Sequence, residues 1–210
     1  MKHIVLLGDS LFDNKAYVGN EPDVITHLQD KISANWKTTL KAVDGNVIEN
    51  VSRQLLGIPQ DTTHLFISVG GNDAILNADV LQLNVKNSAD VFDILANRAS
   101  TFEFHYKEML KKVLSLNLPT TVCTIYFPNS PDDFIQKISC AALATFNDLI
   151  IKQAFLNSLP LIDLRLVCNE KDDYANEIEP SSKGGNKIAE KILEVVNFHD
   201  FSSKQTKVYF

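Results

Sequence analysis

A serine follows the first apolar run of the chain, at a position where a strand is expected to end. Residues 4–7 (Ile-Val-Leu-Leu) lead directly into Gly8-Asp9-Ser10. This pattern is typical of a buried strand that stops at an exposed polar turn. A serine hydroxyl at the end of a rigid strand is well placed to act as a nucleophile, although an ordinary turn after an edge strand has the same local sequence. Oxyanion donors and a base elsewhere in the chain would decide between the two interpretations.

Acyl transfer requires donors for the developing oxyanion, together with a base for the nucleophile. Gly45 follows a predicted second strand and could offer an unobstructed backbone N–H, because a glycine lets a ligand approach the main chain closely. Asn72, which follows Gly70-Gly71, could add a side-chain amide, and the N–H of Ser10 could be a third donor. Each glycine considered alone is better explained by turn geometry, so the prediction depends on whether these residues meet.

Strands and helices alternate along the chain in a way that predicts a parallel sheet covered by helices on both faces. Further strands are expected at 36–43, 63–69, 120–126 and 161–164, and helices at about 24–32, 50–56, 89–116, 136–157 and 183–196, with a short one around Val80. Ligands bind beyond the carboxyl ends of the strands in such sheets. Four polar segments lie at these ends: Gly8-Asp9-Ser10, Asp44-Gly45, Gly70-Gly71-Asn72-Asp73 and the loop after the fifth strand. Their common location favours a site over four unrelated turns.

Composition predicts one globular domain, residues 1–210, in which the tail 198–210 has no clear period and is expected to pack loosely or add a short strand. The net charge of −6 and the pI near 5.3 argue against nucleic acid or an anionic membrane as the main partner. No apolar run has the length of a membrane span. Cys123, Cys140 and Cys168 are odd in number and widely spaced, which predicts reduced thiols in a cytoplasmic protein without a disulfide framework or a zinc site.

Several of these segments together resemble the motif blocks of the SGNH (GDSL) hydrolases. Gly8-Asp9-Ser10-Leu11, Gly45 and Gly70-Gly71-Asn72-Asp73 correspond to the first three blocks, and Ile178-Glu179-Pro180-Ser181 with Gly184-Gly185 corresponds to the last. The similarity therefore extends over nearly the whole chain. It implies a three-layer, flavodoxin-like α/β/α sandwich with a five-stranded parallel sheet in the order 2-1-3-4-5. It also implies hydrolysis of small-molecule esters, often acyl or acetyl esters.

The same resemblance implies Ser10 as a nucleophile that forms an acyl-enzyme, with Ser10 N–H, Gly45 N–H and Asn72 as the oxyanion hole, and no metal or organic cofactor. The last block departs from the family pattern, in which an aspartate is followed three residues later by a histidine and then by a proline. Here the corresponding positions are Asn176 and Glu179. None of the five histidines lies in this block: His3, His27, His64, His105 and His199.

The missing histidine leaves three interpretations of the site. In the first, Glu179 is the base for Ser10; a free glutamate titrates near pH ~4.3 against ~6.5 for histidine, and burial near an apolar pocket would raise its pKa. In the second, a histidine or acid from elsewhere, such as Asp173, supplies or supports the base. In the third, the chain is a catalytically impaired binding module. Weak activity would not exclude this third interpretation, because an incomplete triad keeps a residual ~10³–10⁴-fold advantage over water.

The acidic residues of these blocks also have simpler explanations. Glu179 could be an acid that favours the positive end of the last helix, which begins soon after it. Asp9 is expected to brace the turn of the nucleophile, and Asp73 is expected to cap the helix after the third strand. A flavin-binding role finds no phosphate-cradling loop to support it.

Overall fold

A computed structural model describes residues 1–210 and contains one sheet of six strands. In chain order the strands are β1 (His3–Gly8), β2 (Lys37–Leu40), β3 (His64–Ser68), β4 (Thr120–Cys123), β5 (Leu161–Ile162) and β6 (Val208–Tyr209). All neighbouring strands are parallel, and their order across the sheet is β2-β1-β3-β4-β5-β6. The predicted order 2-1-3-4-5 is thereby confirmed, and it places the carboxyl ends of β1 and β3 side by side.

The sheet has one strand more than the five predicted, because the end of the tail adds β6 to its edge. Of the two alternatives expected for the tail, the short strand is the one found. The N–H of Leu161 donates to the carbonyl of Lys207 at 3.0 Å, and the N–H of Asp163 donates to that of Tyr209 at 2.9 Å. Tyr209 is almost completely buried. A two-residue strand is too short to show the alternation from which strands are predicted, and its pairing partner is distant in sequence.

Eight helices connect the strands: α1 (Lys15–Val18), α2 (Val24–Lys31), α3 (Val51–Leu55), α4 (Gly71–Leu76), α5 (Ser88–Leu114), α6 (Asp133–Leu156), α7 (Leu164–Val167) and α8 (Ser182–Phe198). Short 3₁₀ helices cover Ile48–Asn50, Ala78–Gln82 and Lys171–Asp173. The longer predicted helices are confirmed within a few residues, and the one expected around Val80 is a 3₁₀ helix. The short helix expected at 50–56 is α3. The sequence pattern does not predict α1, α4 and α7, since helices this short show little helical period.

The sheet separates two apolar cores. Ile4 and Leu6 of β1 face a core that includes side chains of α2 and α8, whereas Val5 and Leu7 face a core that includes side chains of α5 and α6. All four β1 side chains are fully buried, which explains why the strand is continuously apolar rather than alternating. The predicted three-layer α/β/α arrangement is thereby confirmed.

By length and composition alone, α6 could cross a membrane, with a mean hydropathy of 1.3 over its most apolar window. In the structure, Phe146 and Ile150 of α6 pack in the core on one face of the sheet. Asn147 donates to the carbonyl of Ile125 at 2.8 Å and accepts from its N–H at 2.7 Å. A helix that packs against a sheet meets the same length and composition criterion as a spanning helix, so the criterion does not distinguish the two here.

Candidate active site

A cavity of about 170 Å³ lies at the carboxyl ends of β1 and β3, where a parallel sheet usually binds its ligand. Four of the residues singled out in the sequence line it: Asp9, Ser10, Asn72 and Glu179. The rest of the wall is mainly apolar and comes largely from α4, the 3₁₀ helix that follows it, α5 and α6. The structure therefore brings together residues from three separate sequence blocks at one end of the sheet.

Ser10 and Glu179 are in direct contact. Ser10 Oγ donates a hydrogen bond to Glu179 Oε1 at 3.0 Å, although the two residues are 169 positions apart in the sequence. Both are largely withdrawn from solvent, with exposed fractions of 8% and 6%. A hydroxyl at this distance from a carboxylate has the geometry that proton transfer to a general base requires.

The surroundings of Glu179 make its carboxylate more basic than usual. Burial raises the pKa of Glu179 to about 7, the hydrogen bond from Ser10 opposes the rise, and the nearby negative charge of Asp44 adds to it. Oε2 of Glu179 is buried and has no hydrogen-bond partner. An unpartnered oxygen further disfavours the charged form, so the carboxyl group can exchange a proton near neutral pH.

A short hairpin holds Glu179 in place. Tyr174 and Pro180 form an antiparallel bridge, and the N–H of Ala175 donates to the carbonyl of Glu179 at 2.8 Å. Within the hairpin, Asn176 Oδ1 accepts from two successive backbone N–H groups, the second being that of Glu179, each at 2.9 Å. The side chain that corresponds to the aspartate of the family pattern therefore orients the backbone of Glu179.

The hairpin is attached to the rest of the protein on two sides. The hydroxyl of Tyr126 donates to the carbonyl of Ile178, and Asn14 Nδ2 donates to the carbonyl of Pro180 at 3.1 Å. Burial raises the pKa of Tyr126 well above its ordinary value, and the charge of Glu179 adds to the rise, so the phenol keeps its proton and remains a donor. Both bonds end on residues adjacent to Glu179, which limits the movement of its backbone.

The turn that carries Ser10 depends on Gly8. This glycine has a φ of +131°, and a Cβ there would lie 1.7 Å from the carbonyl oxygen of Ser68. Gln54 accepts from the N–H of Gly8 and donates to its carbonyl, both at 2.8 Å. The end of β1 therefore approaches β3 so closely that only a glycine fits at position 8. The two hydrogen bonds with Gln54 fix the backbone of Gly8, two residues before Ser10.

Asp9 is buried beside Ser10. Its Oδ1 accepts from the N–H of Leu11 at 3.2 Å, which closes the turn. Burial raises the pKa of Asp9 to about 7, the bond from Leu11 opposes the rise, and the negative charges of Glu179 and Asp73 increase it. The two buried carboxyl groups, Asp9 and Glu179, therefore disfavour each other's ionisation.

The three predicted oxyanion donors are placed differently. Asn72 lines the cavity, and its Nδ2 donates to the carbonyl of Asn46 at 2.9 Å, which fixes the amide and leaves its second hydrogen uncommitted. The backbone N–H groups of Ser10 and Gly45 have no hydrogen-bond partner within the protein. Gly45 has a φ of +78° in the exposed loop after β2 and does not line the cavity.

The two other acids named from the sequence, Asp73 and Asp173, bind residues away from the cavity and do not contact Ser10. Asp73 lies within the first turn of α4 and not at its N-cap, so it does not cap this helix; its Oδ2 accepts from the N–H of Ile48 at 3.1 Å. Asp173 is fully buried and forms an ion pair with Lys187 at 2.8 Å. Neither acid lines the cavity.

No histidine lines the cavity or contacts Ser10. His27 Nε2 lies 2.9 Å from Ser182 Oγ at the start of α8. His3 and His64 begin β1 and β3, so they lie at the end of the sheet opposite Ser10. Ser10 Oγ therefore has a carboxylate, and no imidazole, as its hydrogen-bond partner.

Two amide residues that hold the site were not singled out by the sequence. Gln54, which brackets Gly8, also donates from Nε2 to Asn46 Oδ1 at 3.0 Å, and the carbonyl of Asn46 accepts from Asn72. This chain of amides joins the end of β1, the loop after β2 and the start of α4. Asn46 directly follows Gly45 in a polar loop, and this position is a sequence signal for a site residue. Gln54 lies in the short helix α3, where no motif identifies it.

The chain is similar to known proteins in its three-dimensional structure. No protein-family model and no curated protein sequence matches it. The crystal structure of an extracellular lipase from Streptomyces rimosus matches with a TM-score of 0.67 at 16% identity, over 94% of this chain and 99% of the lipase. A phospholipase A1 from Streptomyces albidoflavus matches with a TM-score of 0.66 at 16% identity, over 93% and 98% of the two chains. A member of the lipolytic G-D-S-L family from Veillonella parvula matches with a TM-score of 0.61 at 19% identity, over 95% and 100%.

These matches extend over nearly the full length of both chains in each pair. They show that the chain has an SGNH hydrolase-like fold, and the resemblance seen in the sequence is confirmed at this level. At 16% to 19% identity, a shared fold does not by itself carry an activity from one protein to another.

Proposed function

We propose that this protein hydrolyses esters of small molecules, with Ser10 as nucleophile and Glu179 as general base. The observation that carries the proposal is the 3.0 Å hydrogen bond from Ser10 Oγ to Glu179 Oε1 at the wall of a mainly apolar cavity. A nucleophile bonded to a base of suitable pKa, beside a cavity that can receive an acyl group, has the components of covalent acyl transfer. The lipase and phospholipase that share the fold support ester hydrolysis as the reaction class.

In the first half of the reaction, Glu179 takes the hydroxyl proton of Ser10 while Oγ forms a bond to the carbonyl carbon of the ester. The tetrahedral intermediate collapses, the bond to the alcohol oxygen breaks, and Glu179 gives its proton to the leaving alkoxide. The acyl group is then bound to Ser10. Water repeats the sequence: Glu179 accepts its proton, the water oxygen attacks the acyl carbon, and Ser10 Oγ leaves and regains a proton as the carboxylic acid departs.

The proposal assigns the oxyanion to three donors: the N–H groups of Ser10 and Gly45 and the amide of Asn72. Ser10 supports it because Ser10 lines the cavity and its N–H has no partner within the protein. Gly45 is assigned from the sequence resemblance: its N–H also has no partner within the protein, but Gly45 lies in an exposed loop and does not line the cavity. Asn72 supports it because one amide hydrogen is held by Asn46 and the other is uncommitted. Donors fixed before the reaction stabilise a developing charge without reorganisation, and each is typically worth ~10²–10³ in kcat.

A catalytically impaired binding module is the second candidate, and the absence of a histidine from the cavity favours it. Such a protein would keep the cavity and the oxyanion donors, and it would bind an ester or acid without efficient turnover. Weak hydrolysis would not separate the candidates, since oxyanion donors and binding alone give a residual ~10³–10⁴-fold advantage over water. Dependence of turnover on Ser10 would separate them.

The proposal retains a cytoplasmic location and a small molecule, rather than nucleic acid, as the partner. Cys123, Cys140 and Cys168 are all free, and Cys123 and Cys168 are buried, which suits a reducing compartment. The net charge of −6 is unfavourable for contact with phosphate backbones.

A fluorophosphonate probe tests the nucleophile. The probe should label the wild-type protein at Ser10, located by mass spectrometry, and should not label Ser10→Ala. Ser10→Ala should also lose hydrolysis of p-nitrophenyl butyrate, whereas Ser100→Ala, a change at an exposed serine of α5, should not. Equal and slow hydrolysis by wild type and Ser10→Ala would contradict the assignment. Stabilisation by an ester without Ser10-dependent turnover would favour the binding module.

The pH dependence of kcat/KM tests the base. Glu179 acts in its ionised form and its pKa is raised to about 7 by burial, so kcat/KM should rise with pH and level off above that value. Glu179→Gln should lower the plateau by ~10²–10⁴ and remove this ionisation. Asp9→Asn, measured in parallel, identifies any contribution of the neighbouring carboxyl. An unchanged profile in Glu179→Gln would remove Glu179 from the mechanism.

A further inference from the structure

The cavity beside Ser10 has a polar end and a long apolar wall. The apolar side chains that line it include those of Val80, Leu95, Ile125, Leu143 and Phe146. Its ionisable residues are Asp9, Glu179 and Tyr126, and no lysine, arginine or histidine lines it. Binding of a negatively charged ligand would be unfavourable, because Asp9 and Glu179 would repel it and no cation would compensate. The apolar wall therefore suits a neutral hydrocarbon chain.

Phe146 is a buried residue of the cavity wall. Its ring packs against that of Phe102 with 5.0 Å between centroids. Phe102 is also buried and lies 3.0 Å from where a Cβ at Gly70 would be, so this part of the wall has little room to yield. Ile75 and Ile178 also line the cavity and are 51% and 42% exposed, so the cavity opens to solvent beside them.

The size of the cavity limits the chain that it can hold. An apolar cavity of about 150 Å³ in another protein binds benzene, a ligand of six carbons. This cavity has a volume of about 170 Å³, so it accommodates about as many carbons. Further methylenes would exceed this volume and would not gain the benefit of burial.

We propose that the cavity is an acyl-binding subsite for a neutral, saturated acyl group of up to about six carbons. This inference rests on the proposed function. The acyl group, rather than the alcohol, is assigned to the cavity because it stays bound to Ser10 between the two half reactions. The alcohol departs after receiving its proton from Glu179, and the residue before Glu179, Ile178, lies where the cavity opens to solvent.

A series of p-nitrophenyl esters from acetyl to decanoyl tests the subsite. In the wild-type protein, kcat/KM should rise by about fourfold per methylene as far as hexanoyl and then stop rising. Ala142→Leu fills the cavity from α6 and should lower the ratio of hexanoyl to acetyl kcat/KM by about tenfold or more. Ala144→Leu is the matched control, because Ala144 is exposed on the same helix and does not line the cavity; it should leave the ratio unchanged.

A binding measurement separates the subsite from the catalytic assignment. In a Ser10→Ala background, 1-hexanol should raise the Tm, and adding Ala142→Leu should abolish that rise while adding Ala144→Leu should not. If hexanol binds in this way but no ester is hydrolysed, the subsite stands and the proposed function is wrong. If esters are hydrolysed with a chain-length profile that is flat, or that Ala142→Leu does not change, the subsite is wrong and the proposed function stands.

Discussion

As the proposed base, Glu179 differs from a histidine in the charge of its two states as well as in its ordinary pKa. A neutral imidazole becomes cationic when it takes the proton of a nucleophile, whereas a carboxylate becomes neutral. Burial favours the neutral form, and it therefore raises the pKa of Glu179 to about 7, close to the ~6.5 of a free histidine. The same burial would lower the pKa of a histidine at this position. A largely dry site thus strengthens a carboxylate base and would weaken an imidazole.

The raised pKa of Glu179 has a consequence for stability. Burial moves the pKa from 4.5 to about 7 on folding, so between these values the folded protein holds a proton that the unfolded chain has lost. Stability therefore falls as pH rises through this interval and stays reduced above it. We expect Glu179→Gln to stabilise the protein by about 2–3 kcal/mol at pH 8 and by much less at pH 4. Urea denaturation at the two pH values measures this difference.

Glu177→Gln is the matched control for that experiment, since Glu177 is exposed in the same hairpin. It should change the free energy of unfolding by less than about 0.5 kcal/mol at either pH. If Glu179→Gln instead destabilises the protein at pH 8, the ionised carboxylate stabilises the folded state. That result would contradict the inference drawn from the buried, unpartnered Oε2.

At the scale of elements, the side chains of the proposed nucleophile and base are held in different ways. Ser10 follows a buried strand whose end is clamped by Gln54, so its position derives from the sheet. Glu179 lies in the hairpin 174–180, which has no regular helix or strand and depends on individual hydrogen bonds. The position of Glu179 is therefore more sensitive to single substitutions than that of Ser10.

Asn176 is a positioning residue for Glu179 in this hairpin. Asn176→Ala removes the acceptor of two backbone N–H groups, and we expect kcat to fall by about tenfold with little change in KM, because Glu179 loses orientation while the cavity is intact. Asn176→Asp keeps the acceptor oxygen and should retain most of the activity. Steady-state kinetics with p-nitrophenyl butyrate measures both constants. A rise in KM with kcat unchanged would show that the hairpin shapes the cavity instead.

At the scale of the whole molecule, the order of the strands decides which loops meet. Because β1 lies between β2 and β3, the turn with Ser10 is flanked by the loop with Gly45 and by the start of α4 with Asn72. The last strands lie at the other side of the sheet, and there β6 covers the edge of β5. An uncovered edge would expose unpaired backbone groups and a short apolar strand.

Removal of residues 204–210 should destabilise the protein without dismantling the cavity. The deletion exposes the edge of β5 and removes the buried Tyr209, which should lower the free energy of unfolding by about 3 kcal/mol or more. No residue of this segment lines the cavity, so turnover well below the Tm should be retained. Deletion of Phe210 alone is the control, because that residue is 65% exposed. Unchanged stability of the longer deletion would show that β6 contributes little to the fold.

The fold could be predicted from the sequence where the signals are local and long. The apolar run of β1 and the long periodic stretches of α5 and α6 identify their elements, because burial on both faces or on one helical stripe imposes a visible pattern. α1 and α7 could not be predicted, and β6 was anticipated only as one of two alternatives for the tail, since elements of two to four residues exist through contacts that are distant in sequence. The supporting role of Gln54 could not be predicted for the same reason, because it depends on the contact of Gln54 with Gly8 in the folded chain.

The sequence by itself indicated the class of fold and the nucleophile candidate, because strand alternation and the turn after β1 are properties of the local chain. The order 2-1-3-4-5 came from the resemblance of its motif blocks to a known family. Only the tertiary structure decided which acid meets Ser10. Asp9, Asp73, Asp173 and Glu179 were all available, and folding places Glu179 alone within hydrogen-bond distance of the hydroxyl. It also decided how basic that acid is, since a pKa depends on burial and neighbouring charges across the whole molecule.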